Sequence, residues 1–150
     1  MKMLIVGAGD IGRRVIAKTT RRDTVWAATS TPAHRAGLKR LGAQPVPANL
    51  DRPGTLKRLP RGWDVLLHAA PPQSYLTQDQ RTRHLLRAVQ RAGTRGGAQR
   101  VLVYLSTSGV YGDCAGARIT ESWPLNPRNA RARRRVDAER VLMRAPAQSP

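Results

Sequence analysis

Met3-Leu4-Ile5-Val6-Gly7-Ala8-Gly9-Asp10-Ile11-Gly12 decides the fold of this chain. Four apolar residues run straight into Gly7, Gly9 and Gly12, and an amphipathic segment from Arg13 to Arg22 follows. A strand that breaks into a glycine turn and then a helix is the fingerprint of a dinucleotide-binding loop. Gly7 permits the tight turn, Gly9 lets backbone approach a pyrophosphate, and Gly12 lets helix and strand pack closely. The helix start, with Asp10 and Ile11, presents unpaired N–H groups and a positive dipole end to the phosphates. Glycines at this spacing also occur in turns with no ligand. The strand before them and the helix after them give the motif its meaning.

A chain of 150 residues reads as one domain, spanning 1–145, with a disordered tail at 146–150. The single cysteine, Cys114, excludes an internal disulfide, points to a reducing compartment and reads as a loop thiol. No metal-ligating constellation surrounds it. No signal peptide or membrane-length apolar run is expected, so the chain reads as a soluble, cytoplasmic protein. Lys and Arg number 27 against 9 Asp and Glu, a net charge of +18. Such a balance raises nucleic-acid binding as a third reading. Against it, the cations are spread from Arg13 to Arg144, and only Arg133-Arg134-Arg135 form a tight run. Aromatic side chains for base stacking are scarce, with three Trp, three Tyr and no Phe.

Thr24 to Thr29 reads as a second buried strand, and Pro32 opens a helix through Leu41 that Gly42 stops. An acid at the end of a second strand would bind the adenosine 2′-hydroxyl and mark NAD. Here stand Thr29, Ser30 and Thr31, then His34 and Arg35. Hydroxyls beside a cation suit a 2′-phosphate, so Ser30, Thr31 and Arg35 favour NADP over NAD. Gln44 to Ala48 is a weak third strand ending in Asn49-Leu50-Asp51, and a short helix covers Pro53 to Leu59. Asp64 to Ala70 is a stronger fourth strand. Ser74 to Ala92 has helical periodicity, with Gly93 ending it and a glycine-rich loop running to Arg100. Arg100 to Leu105 is a fifth strand, Asp113 to Pro127 is loop, and Asn126 or Asn129 caps a last helix through Met143. This alternation predicts an α/β, doubly wound parallel sheet of about five strands, Rossmann-like. His68 reads as a hydrogen-bonded core histidine, and His34 and His84 as helix-surface residues.

Four motifs together resemble the extended and atypical short-chain dehydrogenase/reductases, the NAD(P)-dependent epimerase/dehydratase group. They are the glycine loop; His68-Ala69-Ala70-Pro71-Pro72; Ser106-Thr107-Ser108-Gly109-Val110-Tyr111-Gly112-Asp113; and Glu121-Ser122-Trp123-Pro124-Leu125-Asn126-Pro127 leading to Glu139. The resemblance implies an NAD(P) cofactor with Asn49, Leu50, Ala69 and Ala70 along it and Thr107 near the nicotinamide. It implies hydride transfer on a small hydroxyl- or carbonyl-bearing substrate, with Thr107 as the Ser/Thr of the site and Tyr111, which lines it in relatives, as the catalytic candidate to stand in for the usual acid/base. It also implies a homodimer through the Ser74–Ala92 and Arg128–Met143 segments.

Two departures qualify what the resemblance implies. Its Tyr-x-x-x-Lys pair, counted back from Glu139, falls on Arg131 and Arg135. An arginine keeps its proton at ordinary pH, so Arg131 cannot shuttle one as a phenol does. The chain is also truncated relative to that group, before the C-terminal substrate lobe, which would leave the fifth strand at a sheet edge. A shortened gene product, a piece of a longer protein and a small protein completed by a partner all fit. The sequence thus predicts cofactor binding more firmly than turnover, and a non-catalytic binding module is the second reading.

Overall fold

The computed structural model describes residues 1–19, 22–91 and 100–145. Five strands form one parallel sheet in the order β3-β2-β1-β4-β5. They are β1 (Lys2–Val6), β2 (Thr24–Thr29), β3 (Gln44–Pro47), β4 (Val65–His68) and β5 (Val101–Tyr104). Continuous apolar runs form the central strands because both faces of the sheet are covered. Leu4, Val6 and Leu66 meet Leu85 and Val89 of α3 (Gln80–Arg91) and Leu56 of a 3-10 turn at Pro53–Arg58. Ile5, Val25 and Leu67 face the other way, against Ile16 of α1 (Asp10–Thr19) and Leu38 of α2 (His34–Arg40). The fourth helix, α4 (Ala130–Arg144), packs on α3. The sheet is therefore doubly wound.

The register puts Val6 level with Ala28 of β2 and His68 of β4. Strand order reverses at β1, so a crevice opens beyond the carboxyl ends of β1, β2 and β4. At one sheet edge β3 carries Pro45 and Pro47, which lack the N–H that an added strand would need. At the other, β5 leaves Val101 and Val103 exposed.

Helix boundaries differ from the periodicity-based reading, each for a local reason. The helix expected from Ser74 starts at Gln80 because Asp79 caps it. Asp79 Oδ1 accepts from the N–H groups of Arg81 (3.0 Å) and Thr82 (3.3 Å), and Oδ2 from the Thr82 hydroxyl (2.5 Å). The preceding loop is tied down by Gln73, whose side-chain amide donates to the Gln78 carbonyl at 2.8 Å. Replacing Asp79 with Ala is expected to cost about 2 kcal/mol, since a cap is lost and a buried hydroxyl loses its acceptor. Chemical denaturation would measure it.

The first helix starts three residues earlier than its amphipathic segment, because the Gly9 carbonyl already accepts from Arg13 N–H at 2.9 Å. The second starts at His34 rather than Pro32, with no side-chain cap at Ala33. Of the two asparagines that could start the last helix, Asn129 does so, accepting from Ala132 N–H at 2.8 Å. That helix runs to Arg144. Ser108–Tyr111 forms a 3-10 turn that the sequence did not signal. The Gly93 helix stop, the glycine-rich loop up to residue 99 and the tail at 146–150 lie outside the described residues. No helix among the described residues is long and apolar enough to cross a membrane.

Candidate functional site

The three glycines of the opening motif occupy three different environments. Gly7 has φ +99°, and a Cβ there would collide with the backbone of Ala70 beyond β4. A Cβ on Gly12 would stand 2.7 Å from the Gly7 carbonyl oxygen, so this glycine sets how closely α1 approaches the loop. A Cβ on Gly9 would meet nothing within 4 Å. The backbone at Gly9 faces open space at the start of a ten-residue helix. The first N–H groups of α1 have no partner within the helix. Asp10 turns away to pair with Arg14 (Nε to Oδ2, 3.1 Å), both carboxylate and guanidinium being well exposed. The loop leaves room for a group to approach its backbone at Gly9.

A cleft of about 230 Å³ opens beside this loop. Gly7, Ala8 and Gly9 form one end, Ser30, Thr31 and His34 another, and Asn49, Leu50, Ala70 and Arg81 further walls. Thr29 fixes the turn after β2, its hydroxyl accepting from Thr31 N–H at 3.2 Å, which leaves Ser30 and Thr31 at the surface. Asn49 is fixed in turn. Its N–H donates to the Thr55 hydroxyl and its side-chain oxygen accepts from Asp51 N–H, each at 2.8 Å. Arg81 reaches across from α3, donating to both Asp51 oxygens (2.8 and 2.6 Å) and to the Pro71 carbonyl (2.9 Å). That contact holds the Asp51 carboxyl below its usual range.

Beyond β5 the chain builds a second group of polar residues. Thr107 is extended, and its hydroxyl accepts from Gly109 N–H at 3.3 Å. Val110 is buried and its carbonyl accepts from Asn126 N–H at 3.0 Å, which anchors the turn bearing half-buried Tyr111. Gly112, at φ +76°, abuts the Asn126 carbonyl where a Cβ would collide. Arg135 is 7 % exposed and donates to the Tyr104 hydroxyl (2.9 Å) and the Leu105 carbonyl (2.7 Å). Burial raises the Tyr104 phenol above its ordinary pKa, against the opposing pull of that hydrogen bond. Arg131 is exposed. The Ser106 hydroxyl bonds the Glu139 carboxylate.

Behind the cleft His68 is fully buried, with Nε2 2.9 Å from the Thr82 hydroxyl. That hydroxyl donates to Asp79, so it accepts from His68, which assigns the Nε2–H tautomer from the network. Burial, then the charge of Arg135, pushes the imidazole down to about 4.

Of the residues singled out from the sequence, Gly7, Gly9, Ser30, Thr31, Asn49, Leu50 and Ala70 line the one cleft. Asp10, Ile11 and Gly12 form the first turn of α1 beside it, and Ala69 precedes Ala70 on the strand exit. Arg35, Thr107 and Tyr111 do not line it. The cleft residues not anticipated as site residues include His34, placed by the sequence reading on a helix surface, and Arg81. His84 is not a free surface residue either, since its Nδ1 lies 2.7 Å from the Leu50 carbonyl oxygen.

A model of the NAD dependent epimerase/dehydratase family matches residues 3–149, and the chain belongs to that family. It is similar in structure to a dTDP-glucose 4,6-dehydratase double mutant from Streptomyces venezuelae solved with NAD. Identity is 28%, the TM-score 0.73, and the match covers 94% of this chain and 50% of that one. A functionally unknown conserved protein from Silicibacter pomeroyi matches at 27% identity and a TM-score of 0.77, over 97% and 49% of the two chains. A short-chain dehydrogenase/reductase superfamily protein from Agrobacterium tumefaciens with bound NAD shares the fold, at 24% identity and a TM-score of 0.74. That match covers 95% and 44% of the chains. The chain thus spans about half the length of these solved relatives. No protein of curated function matches it.

Proposed function

We propose that residues 1–145 form an NAD(P)-binding domain that holds the dinucleotide in the cleft between the glycine loop and the Asn49–Leu50 turn. The observation that carries this reading is the open space at Gly9, between two glycines that are sterically required. In this reading Gly7, Gly9, Asp10, Ile11 and Gly12 offer backbone to the pyrophosphate, and Asn49, Leu50, Ala69 and Ala70 lie along the adenosine half. Two of the solved relatives described above were solved with NAD, which supports a nicotinamide dinucleotide.

The choice between NADP and NAD rests on the turn after β2. It brings no carboxylate to the cleft, only Ser30, Thr31 and His34, with Arg35 exposed beside them. Hydroxyls and cations suit a 2′-phosphate better than a ribose diol, so NADP is preferred. Calorimetric titration with 2′,5′-ADP and 5′-AMP, which differ only in the 2′-phosphate, tests this. We expect the 2′-phosphate to improve affinity by about threefold to tenfold, on the order of 1 kcal/mol. Tighter binding of 5′-AMP would reverse the assignment to NAD.

The cofactor's own chemistry is hydride exchange with a hydroxyl- or carbonyl-bearing carbon. The chain's contribution would be the Thr107 hydroxyl, to hold a substrate oxygen, with Tyr111 on the adjoining turn. Position 131 offers an exposed guanidinium, and Arg135 is committed to Tyr104 and Leu105. These two observations favour binding without turnover. Dye-coupled assay of the purified protein with NADPH and NADP separates the readings: cofactor binding without turnover supports the module, and sustained turnover supports the enzyme.

A further inference from the structure

We infer that Arg81 is a positioning residue for the adenosine half of the cleft, acting as a strap between its two walls. The inference rests on the cofactor reading above and assigns a role to a side chain which that reading leaves unused. The cleft is walled on one side by the turn after β3, residues Asn49 to Asp51, and on the other by the exit of β4, Ala70 and Pro71. These segments belong to strands that are not neighbours, since β2 and β1 lie between β3 and β4. No sheet hydrogen bond fixes the distance between them. Arg81 does: one guanidinium holds Asp51 by two parallel bonds (2.8 and 2.6 Å) and the Pro71 carbonyl by a third (2.9 Å).

A two-bond arginine–carboxylate pair has a defined plane and distance, unlike a lysine contact. The backbone of the strap is also fixed at both ends. Arg81 N–H donates to Asp79 Oδ1 at the start of α3, and Asp51 N–H to Asn49 Oδ1 in the turn. His84, one turn along α3, adds a parallel tie to the Leu50 carbonyl at 2.7 Å. Helix α3 therefore holds both walls at a set separation before a ligand arrives, which lowers the ordering cost of binding. Arg81 also lines the cleft itself, and three of the five guanidinium donors are engaged.

The test is calorimetric titration of the whole chain with 5′-ADP, in wild type, Arg81→Gln and the charge swap Asp51→Arg with Arg81→Asp, each with a thermal melt. We expect Arg81→Gln to weaken 5′-ADP by about tenfold, roughly 1.4 kcal/mol. The swap re-forms the pair between positions 51 and 81 but leaves the Pro71 carbonyl without its donor, so it should recover part of that loss, where a cleft-wall role independent of Asp51 would recover none. Wild-type affinity retained in Arg81→Gln would overturn the strap and leave the cofactor reading intact. Failure of wild type to bind 5′-ADP would instead overturn the cofactor reading itself. Should Arg81→Gln melt far below wild type, Asp51→Asn replaces it: weaker 5′-ADP binding at an unchanged melting temperature supports the strap, and unchanged binding overturns it.

Discussion

Replacing Gly9 with Asp is expected to abolish 5′-ADP binding while leaving the melting temperature within a few degrees, and replacing Gly7 with Ala to destabilise the domain severely. The two residues sit two positions apart in one loop, yet their surroundings are opposite. A side chain at position 9 meets no atom within 4 Å. The Gly9 carbonyl receives the first hydrogen bond of α1, from Arg13 at 2.9 Å, which makes position 9 the helix cap. Aspartate is among the best residues at such a position and its charge suits the helix dipole, so stability should hold or rise. The same carboxylate would occupy the space and field offered to a phosphate. A loss of about 100-fold or more, near 2.7 kcal/mol, is the expected reading by calorimetry. At Gly7 the left-handed φ of +99° alone costs a non-glycine residue about 1–2 kcal/mol. The added methyl would also collide with Ala70 backbone, which can yield only by displacing the exit of β4. The sum is on the order of 3 kcal/mol or more, a large share of a small domain's stability. Wild-type ADP affinity in the Gly9→Asp protein would show that the cleft does not hold phosphates.

The contrast between these glycines explains which parts of the site were readable in the sequence. Gly7, Gly9 and Gly12 are legible locally as a strand, a turn and a helix start within ten residues, although the backbone that Gly7 abuts is that of Ala70, beyond β4. The same holds for the strands, whose apolar runs are continuous. Arg81 and His84 are different. Their partners, Asp51 and Leu50, lie 30 and 34 residues away and are met only when α3 docks over the turn after β3. Nothing in the spacing of α3 distinguishes a strap from a solvated arginine in a chain with 27 cationic residues. The β2 turn failed for a smaller reason. Starting α2 at His34 instead of Pro32 determines which of two adjacent residues faces the cleft, and His34 does so where Arg35 does not. Asp79 combines both cases: its capping pattern is local, but Leu76 extends the helical periodicity backwards past it and hides the start.

His68 should make stability fall as pH drops from about 6.5 to about 4, by roughly 3 kcal/mol, and removing its imidazole should erase that slope. The ring is fully buried, and its pKa is pushed from 6.5 to about 4 by burial and then by Arg135. The groups around it leave no compensating anion in contact with the ring. Nε2 meets the Thr82 hydroxyl, which is spent on Asp79, the Val6 backbone opposes the shift only in part, and the Tyr104 ring lies 5.1 Å away with the Arg135 guanidinium over it and bonded to its hydroxyl. Since the folded-state pKa lies below the unfolded one, the unfolded chain binds the extra proton between these two values. Stability is therefore complete above about 6.5, declines through the interval at about 1.4 kcal/mol per pH unit and levels off below about 4. The depressed carboxylates Asp51 and Asp137 act in a separate window: their contribution is present above the unfolded value of 3.8 and is lost as pH falls below it. Tyr104, raised above 10.0, stays neutral throughout. Urea denaturation at half-unit steps from pH 7 to 4 would read the slope directly. His68→Gln is expected to be less stable at pH 7, because a packed ring bonded to Thr82 is lost, but flat across the interval. A wild-type curve that is itself flat between pH 6.5 and 4 would mean that His68 accepts its proton in the folded state. The chain from Asp79 through Thr82 to His68 would then hold a charge behind the strand exit that carries Ala69 and Ala70.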